Sequence, residues 1–442
     1  MAKSTLLRLV LVALLVRLLV IGLTYAAPRA LALRDYAANR GRCASLRELV
    51  YRRPQCAVLA EDETGYDALG RSIAAGHGFQ LEQGWVIAQA GTPTAYGGFL
   101  YPAFVGAVYA ASGNNALVLF VLQAVIGSLA VAGIAAAAFR LGGERAGLAA
   151  GAIAVIHPGL ALDSAWVMSE ALAMPLLLAA YLLWLRYLER QTVGRACVFG
   201  AAAAAACLTR SPAFYALGLM AVLSLPWRVM AWRRTAGGLV VAGVVFAACL
   251  APWVARNDRV FHAIVPFDTK AGAGLWLNDH PGAHPFREVW DGAPDPQPPP
   301  GPVPGLNEAQ ADEHFRALTL QYLRDQPLTF AGVAAMRLAL ALVPVPRYWG
   351  RWAAARAVAA ALYIALTWLA LAGLWRVRRK PAGRTLIGVA GGWLVMMACT
   401  AVGLRHRLAA EWAFTASAGV ALAALLEARA ARRGAAPQQP RR

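Results

Sequence analysis

Glu61, Asp62, Glu63 and Asp67 place four carboxylates within one seven-residue stretch, Glu61-Asp62-Glu63-Thr64-Gly65-Tyr66-Asp67. The whole chain has 23 acidic residues against 42 basic ones, so a local acidic cluster stands out. A carboxylate takes a proton from a hydroxyl or amine when it is held within hydrogen-bond reach. Burial at a membrane edge raises its proton affinity, and a neighbouring arginine lowers it. A solvated acidic loop with no chemistry has the same composition. Asp62 is the candidate base, Glu63 the second, and Asp67 is read as structural.

Ser169-Glu170 supplies a further acidic group at the start of an apolar run. A carboxylate there is costly unless paired or wetted, although a helix N-terminus also favours one through its dipole. Two basic groups could answer it: Arg210 in Thr209-Arg210-Ser211-Pro212, and Arg405-His406-Arg407. Arginine grips phosphate oxygens in bidentate fashion and keeps its charge. Arginines that only snorkel to lipid headgroups give the same pattern. His77, between Gly76 and Gly78, reads as a turn residue, and His262, His280 and His284 lack ligand spacing, so no metal or other cofactor is indicated.

These groups need a scaffold, and the composition says which. The 442 residues are 59% hydrophobic and 15% charged. Apolar runs of about 20 residues recur, the length that crosses a hydrocarbon core roughly 30 Å thick. The expected fold is all-α, a polytopic membrane protein. A first run from Leu6 to Tyr25 reads as a retained signal anchor, since it is long, carries Arg17 and lacks a clear cleavage site. Polar loops follow at 27–98 and at about 255–327. Phe99 to Ser112 is too short to span and reads as an interfacial half-helix. With the N-terminus in the cytoplasm, basic clusters at 140–145, 186–195, 228–234, 376–384 and 429–442 all fall inside. That requires Thr329 to Val345 not to cross, leaving about ten crossings and a basic cytoplasmic tail at 429–442. Both termini are then cytoplasmic, and the acidic stretch, Glu170, Arg210, the second loop and Arg405-His406-Arg407 share one outer face.

The net charge of +19 does not point to nucleic acid. The arginines sit at helix ends, where they set topology and meet anionic lipids. Cys197, Cys207, Cys249 and Cys399 lie in apolar runs and read as small buried groups, whereas Cys43 and Cys56 in the first loop could pair or stay free.

Short motifs run in order along nearly the whole chain: Asp62-x-x-x-Tyr66, Gly76-x-Gly78-Phe79, Thr94-Ala95-Tyr96, Leu100-Tyr101-Pro102, Gln123, His157-Pro158, Ser169-Glu170, Leu208-Thr209-Arg210, Pro252-Trp253-x-x-Arg256-Asn257, Gly274-Leu275-Trp276 and Arg405-His406-Arg407-Leu408. On these the chain resembles the GT-C superfamily of membrane glycosyltransferases, specifically bacterial relatives of the protein O-mannosyltransferases and of the aminoarabinose transferase of lipid A. The resemblance implies one GT-C-like domain over 1–428, in a bacterial inner membrane, with both large loops periplasmic. It implies a polyprenyl-phosphate-linked sugar as donor and a cell-envelope acceptor: lipid A, a polysaccharide or a protein. Asp62 would be the base, aided by Glu63 or Glu170. Arg210, Arg256, Lys270, Arg405 and Arg407 would hold the donor phosphate, and Tyr66, Tyr96 and His406 would contact substrate. Relatives commonly carry a basic residue and two prolines before the Leu-Tyr-Pro segment. Here those positions read Gly97-Gly98-Phe99, so the cation is either missing or supplied by Lys270 or Arg71.

A transporter or flippase of a lipid-linked glycan, or a catalytically inactive scaffold, is the alternative. Transporters show internal repeats and ionisable residues within spans. This chain shows no clear repeat, and its polar groups gather on one face.

Overall fold

The computed structural model describes residues 1–38, 61–225, 229–282, 300–343, 353–401 and 403–434. Cys43, Cys56 and His284 lie outside these residues. Among the described residues there are helices and two isolated bridges, Gln80 with Pro93 and Trp85 with Ala88, and no strand.

Seven helices are long and apolar enough to cross a membrane, eight if a pair bent by 58° at His157 counts as one span. The seven lie within α1 (Lys3–Ala38), α4 (Ala116–Gly142), α7 (Glu170–Glu189), α10 (Val229–Phe261), α14 (Ala353–Val377), α15 (Pro381–Cys399) and α17 (Glu411–Gly434). The other three expected crossings fall on shorter helices: α5 (Glu144–Ile156), α8 (Val193–Thr209) and α9 (Ala213–Ser224). Length alone does not make these three spans, so the expected ten is matched in position rather than in number. The helix expected not to cross is α13 (Pro327–Leu342), 16 residues long. Two ends differ from expectation: α1 continues to Ala38 and α10 to Phe261, each beyond its apolar run.

Small residues let the membrane helices close. Gly388 and Gly392 lie one turn apart on α15. A Cβ at Gly388 would sit 2.5 Å from the Met220 Cα, and one at Gly392 2.7 Å from the Tyr215 carbonyl oxygen. Between apolar helices in lipid, association rests on such packing rather than on water exclusion.

The polar segments are built as tightly as the spans. The acidic stretch is not a loop but the start of α2 (Glu61–Ala74). It packs on α3 (Leu100–Ser112), and Tyr66, Leu69, Trp85, Tyr96, Tyr101, Val105 and Tyr109 form a separate apolar core beneath it. Past α10, α11 (Ala271–Asn278) packs on α12 (Glu308–Asp325). Asp312 accepts the Gly272 and Ala273 backbone N–H groups at 2.7 and 3.0 Å and so caps α11. Burial first raises the Asp312 carboxyl to about 6, against the pull of those two N–H groups. Asn307 and Gln310 close a reciprocal capping box at the start of α12. The buried pair Arg337–Asp279, at 2.8 Å, ties α13 to the end of α11.

Candidate functional site

Asp62 lies in the first turn of α2, on the side facing three other segments. Its Oδ2 receives Nη2 of Arg405 from the five-residue helix α16 (Leu404–Leu408). Lys270, the residue before α11, holds its Nζ 3.9 Å from Asp62 Oδ1. Arg405 Nε also stands 3.4 Å from Glu170 Oε1. Glu170 opens α7, fully buried, and pairs at 2.9 Å with Arg210, which lies just past the end of α8. Ser169 joins them: it accepts from Tyr66 Oη at 3.3 Å and Arg210 Nη1 at 3.1 Å, and it donates to Glu170 Oε2 at 3.3 Å. Two carboxylates and three cations from five segments thus meet in one cluster.

The electrostatics divide the acidic stretch. Burial pushes the Asp62 carboxyl up, but the charges of Lys270 and Arg405, with the Arg405 hydrogen bond, outweigh it and hold Asp62 well below the usual carboxylate range. Its neighbour Glu63 is buried and accepts the Val167 N–H at 3.0 Å. Burial pushes the Glu63 carboxyl up to about 7, with Asp67 adding to the rise and the Val167 N–H opposing it. Asp67 takes two hydrogen bonds from Arg71, at 2.7 and 3.1 Å, and one from Tyr109 Oη at 2.5 Å, which bears out its structural reading.

Lys270 has a further set of neighbours. Its Nζ lies 5.4 Å from the Tyr66 ring centroid and 5.1 Å from those of Trp85 and Tyr96. Aromatic faces attract a cation through their quadrupole. Gly65 makes this cage feasible, since a Cβ there would lie 2.3 Å from the Trp85 ring. Gly97 lies close beneath the same ring: a Cβ would meet Trp85 Cζ3 at 3.2 Å and Leu69 Cδ2 at 3.0 Å. The site therefore has Lys270 above Trp85, and glycine at 97 beside it. Trp85 was missed in the sequence. The only signal was an aromatic residue after Gly84, in a stretch with no periodicity.

Two candidates have their contacts elsewhere. Arg407, two residues beyond Arg405, is fully buried and faces the interior. It pairs with Glu411 at 2.7 Å, donates to Thr367 Oγ1 at 2.7 Å and the Ala341 carbonyl at 3.0 Å, and lies 4.2 Å from the Phe414 ring centroid. Glu411 in turn stands 3.3 Å from His157 Nε2. Arg256 donates to the Thr94 carbonyl at 3.0 Å, the Phe79 carbonyl at 3.4 Å and Asn257 Oδ1 at 2.9 Å, over the Trp253 ring. Its guanidinium thus fixes the first extramembrane segment onto α10. His406, next to Arg405, accepts Trp393 Nε1 at 2.7 Å through its backbone carbonyl. Arg71, the alternative cation, is committed to Asp67. His77 is exposed between Gly76 and Gly78, both at positive φ, as a turn residue should be. Among the described residues no group of three His, Cys, Asp or Glu side chains has metal-binding geometry.

Comparison with known proteins agrees with the GT-C resemblance. Residues 97–255 match the model of the dolichyl-phosphate-mannose-protein mannosyltransferases, a region that holds Glu170 and Arg210 but not Asp62, Lys270 or Arg405. The fold matches the oligosaccharyltransferase of Archaeoglobus fulgidus in its apo form, with TM-score 0.56 and 13% identity over 98% of this chain and 52% of that one. The same enzyme in complex with zinc and sulfate gives TM-score 0.50 and 14% identity over 84% and 46%. ArnT from Cupriavidus metallidurans, bound to undecaprenyl phosphate, gives TM-score 0.39 and 15% identity over 86% and 77%, too low a score to bear on the fold. The chain spans about half the length of the oligosaccharyltransferase it matches. No curated protein matches the chain in sequence.

Proposed function

We infer that this chain, a GT-C-like polytopic membrane protein, is a glycosyltransferase that takes a sugar from a polyprenyl-phosphate donor. The observation that carries this reading is the cluster of Asp62 and Glu170 with Lys270, Arg210 and Arg405. It joins a carboxylate able to take a proton to an excess of positive charge suited to a phosphate, in a chain whose apolar helices suit a lipid tail. The acceptor is a hydroxyl of the cell envelope on the outer face of the bacterial inner membrane.

In this reading the acceptor oxygen attacks the anomeric carbon and its proton passes to an Asp62 oxygen. The bond from that carbon to the phosphate oxygen breaks, with inversion, and its electron pair leaves on the phosphate. Lys270 and Arg405 stabilise the charge gathering there, and preorganised charges of this kind are the largest single contribution in many enzymes. Glu170 and Ser169 orient Arg210 and Arg405. The Tyr66, Trp85 and Tyr96 rings offer a flat apolar wall to the sugar. Lys270 takes the place of the basic residue that the 97–99 stretch lacks. Asp62 and Glu170 already face cations of the chain, so no divalent metal is assigned a role.

Mass spectrometry of envelope glycolipids and glycoproteins from a deletion strain tests the reading and names the sugar and acceptor. A sugar substituent should disappear, return with the wild-type gene, and fail to return with Asp62→Asn. An unchanged glycan profile on deletion would leave transport or a non-catalytic role instead.

A further inference from the structure

Each oxygen of the candidate base faces a cation. Arg405 sits on Oδ2 of Asp62 and Lys270 faces Oδ1 at 3.9 Å. A carboxylate held this way, though its side chain stays partly exposed, has its charge committed to the chain's own cations rather than to an acceptor proton. The cations that cover it are also two of the three that would hold a donor phosphate. The third, Arg210, is paired with Glu170 and Ser169 and keeps those partners whether or not Asp62 is covered. Lys270 Nζ lies among three rings at the same time, so its attraction to them does not depend on Asp62.

Resting on the donor reading above, we propose that the donor phosphate and Asp62 compete for Arg405 and Lys270, so that donor binding uncovers the base. Without donor, Asp62 is a clamped anion and a poor proton acceptor. A phosphate presents more negative charge and more oxygens than a carboxylate, and a guanidinium binds it in bidentate fashion. Once it draws the two cations across, Asp62 loses their stabilising charge and its affinity for a proton rises. Binding is thereby ordered, donor before acceptor. The coupling is reciprocal: whatever the phosphate does to Asp62, the charge of Asp62 does to the phosphate. Removing that charge must therefore tighten donor binding.

The experiment uses the full chain purified in detergent, with undecaprenyl phosphate as the probe in an equilibrium binding titration. Asp62→Asn and Asp62→Ser are both measured, so that one poorly folded variant does not decide the outcome. Each should bind the probe about tenfold more tightly than wild type, the effect of one competing charge pair at a partly exposed site. Adding Lys270→Met to Asp62→Asn should remove much of that gain. Unchanged affinity in the Asp62 variants would overturn the competition, and so would weaker affinity, which would make Asp62 part of the phosphate site. The two readings fail separately. Lost glycan with unchanged probe affinity refutes the competition and keeps the transferase. Tighter probe binding with glycan intact refutes Asp62 as the base, and the uncovering with it.

Discussion

Arg405 and Arg407 are two residues apart in the same short helix, and each meets a carboxylate, yet they build opposite kinds of polar centre. Arg405 meets Asp62 and Glu170 in a cluster where Asp62 and Lys270 remain partly exposed and the cations outnumber the carboxylates. Arg407 meets Glu411 and His157 in a centre sealed from solvent, its donors spent on Glu411, Thr367 and the Ala341 carbonyl. The first centre has charge left over for a ligand. The second is closed, and it anchors the backbone that presents Arg405. The difference lies in satisfaction, not in residue type: a partly satisfied cluster at a surface can exchange partners, whereas a buried one cannot without heavy cost.

The sharpest way to break this comparison is to remove one member of each centre. Arg407→Met leaves Glu411 buried with only His157 beside it, and breaking a buried pair in this way costs about 3–5 kcal/mol. Thermal unfolding in detergent should show a large loss of stability, with activity falling only as folded protein is lost. Asp62→Asn should keep the wild-type unfolding temperature to within a few degrees and lower glycan transfer by about 10²–10⁴-fold, the usual range for a lost general base. If Arg407→Met were as stable as wild type while abolishing transfer, Arg407 would belong with Arg405 after all.

The comparison recurs within α2, between adjacent residues. Asp62 faces cations, and Glu63 is buried against the Val167 N–H. With the Glu63 carboxyl raised from 4.5 to about 7, the folded chain binds more protons than the unfolded chain between those values. Stability from this group is therefore full below pH 4.5 and falls as the pH rises to about 7, by about 3 kcal/mol in all. Glu63→Gln should flatten that part of the stability-against-pH curve and leave the protein more stable above pH 7. A slope unchanged in the variant would mean that Glu63 is ionised in the folded chain, and so a candidate base beside Asp62.

What the sequence made legible follows from these cases. Hydropathy marked the seven long apolar helices, and the basic clusters gave an expected order for them, because both are properties of consecutive residues. That order put Asp62, Glu170, Arg210, Lys270 and Arg405 on one face, and the structure joins all five. Pairing within the face was not legible, since Asp62 and Arg405 are 343 positions apart. Nor was the division of labour between Arg405 and Arg407, which depends on how a five-residue helix is turned, or that between Asp62 and Glu63, which depends on one backbone N–H. Trp85 was invisible for a related reason: its role comes from Gly65 and Gly97, whose missing side chains leave room for its ring.

Arg256 gives the smallest effect and the most direct test of which arginines can exchange their partners for a ligand. It was a candidate for the donor phosphate, but its guanidinium is spread over the Thr94 and Phe79 carbonyls and the Asn257 side chain. Those contacts reach from α10 to the segment that carries Tyr96 into the Lys270 cage. Losing hydrogen bonds from a charged donor costs about 2 kcal/mol. Arg256→Met should therefore lower the unfolding temperature modestly and reduce transfer severalfold through a looser cage, with undecaprenyl phosphate affinity close to wild type. Arg405→Met, whose side chain sits in the open cluster, should show the reverse: little change in unfolding temperature and a marked loss of probe affinity. A loss of affinity in Arg256→Met as large as in Arg405→Met would extend the phosphate site to α10.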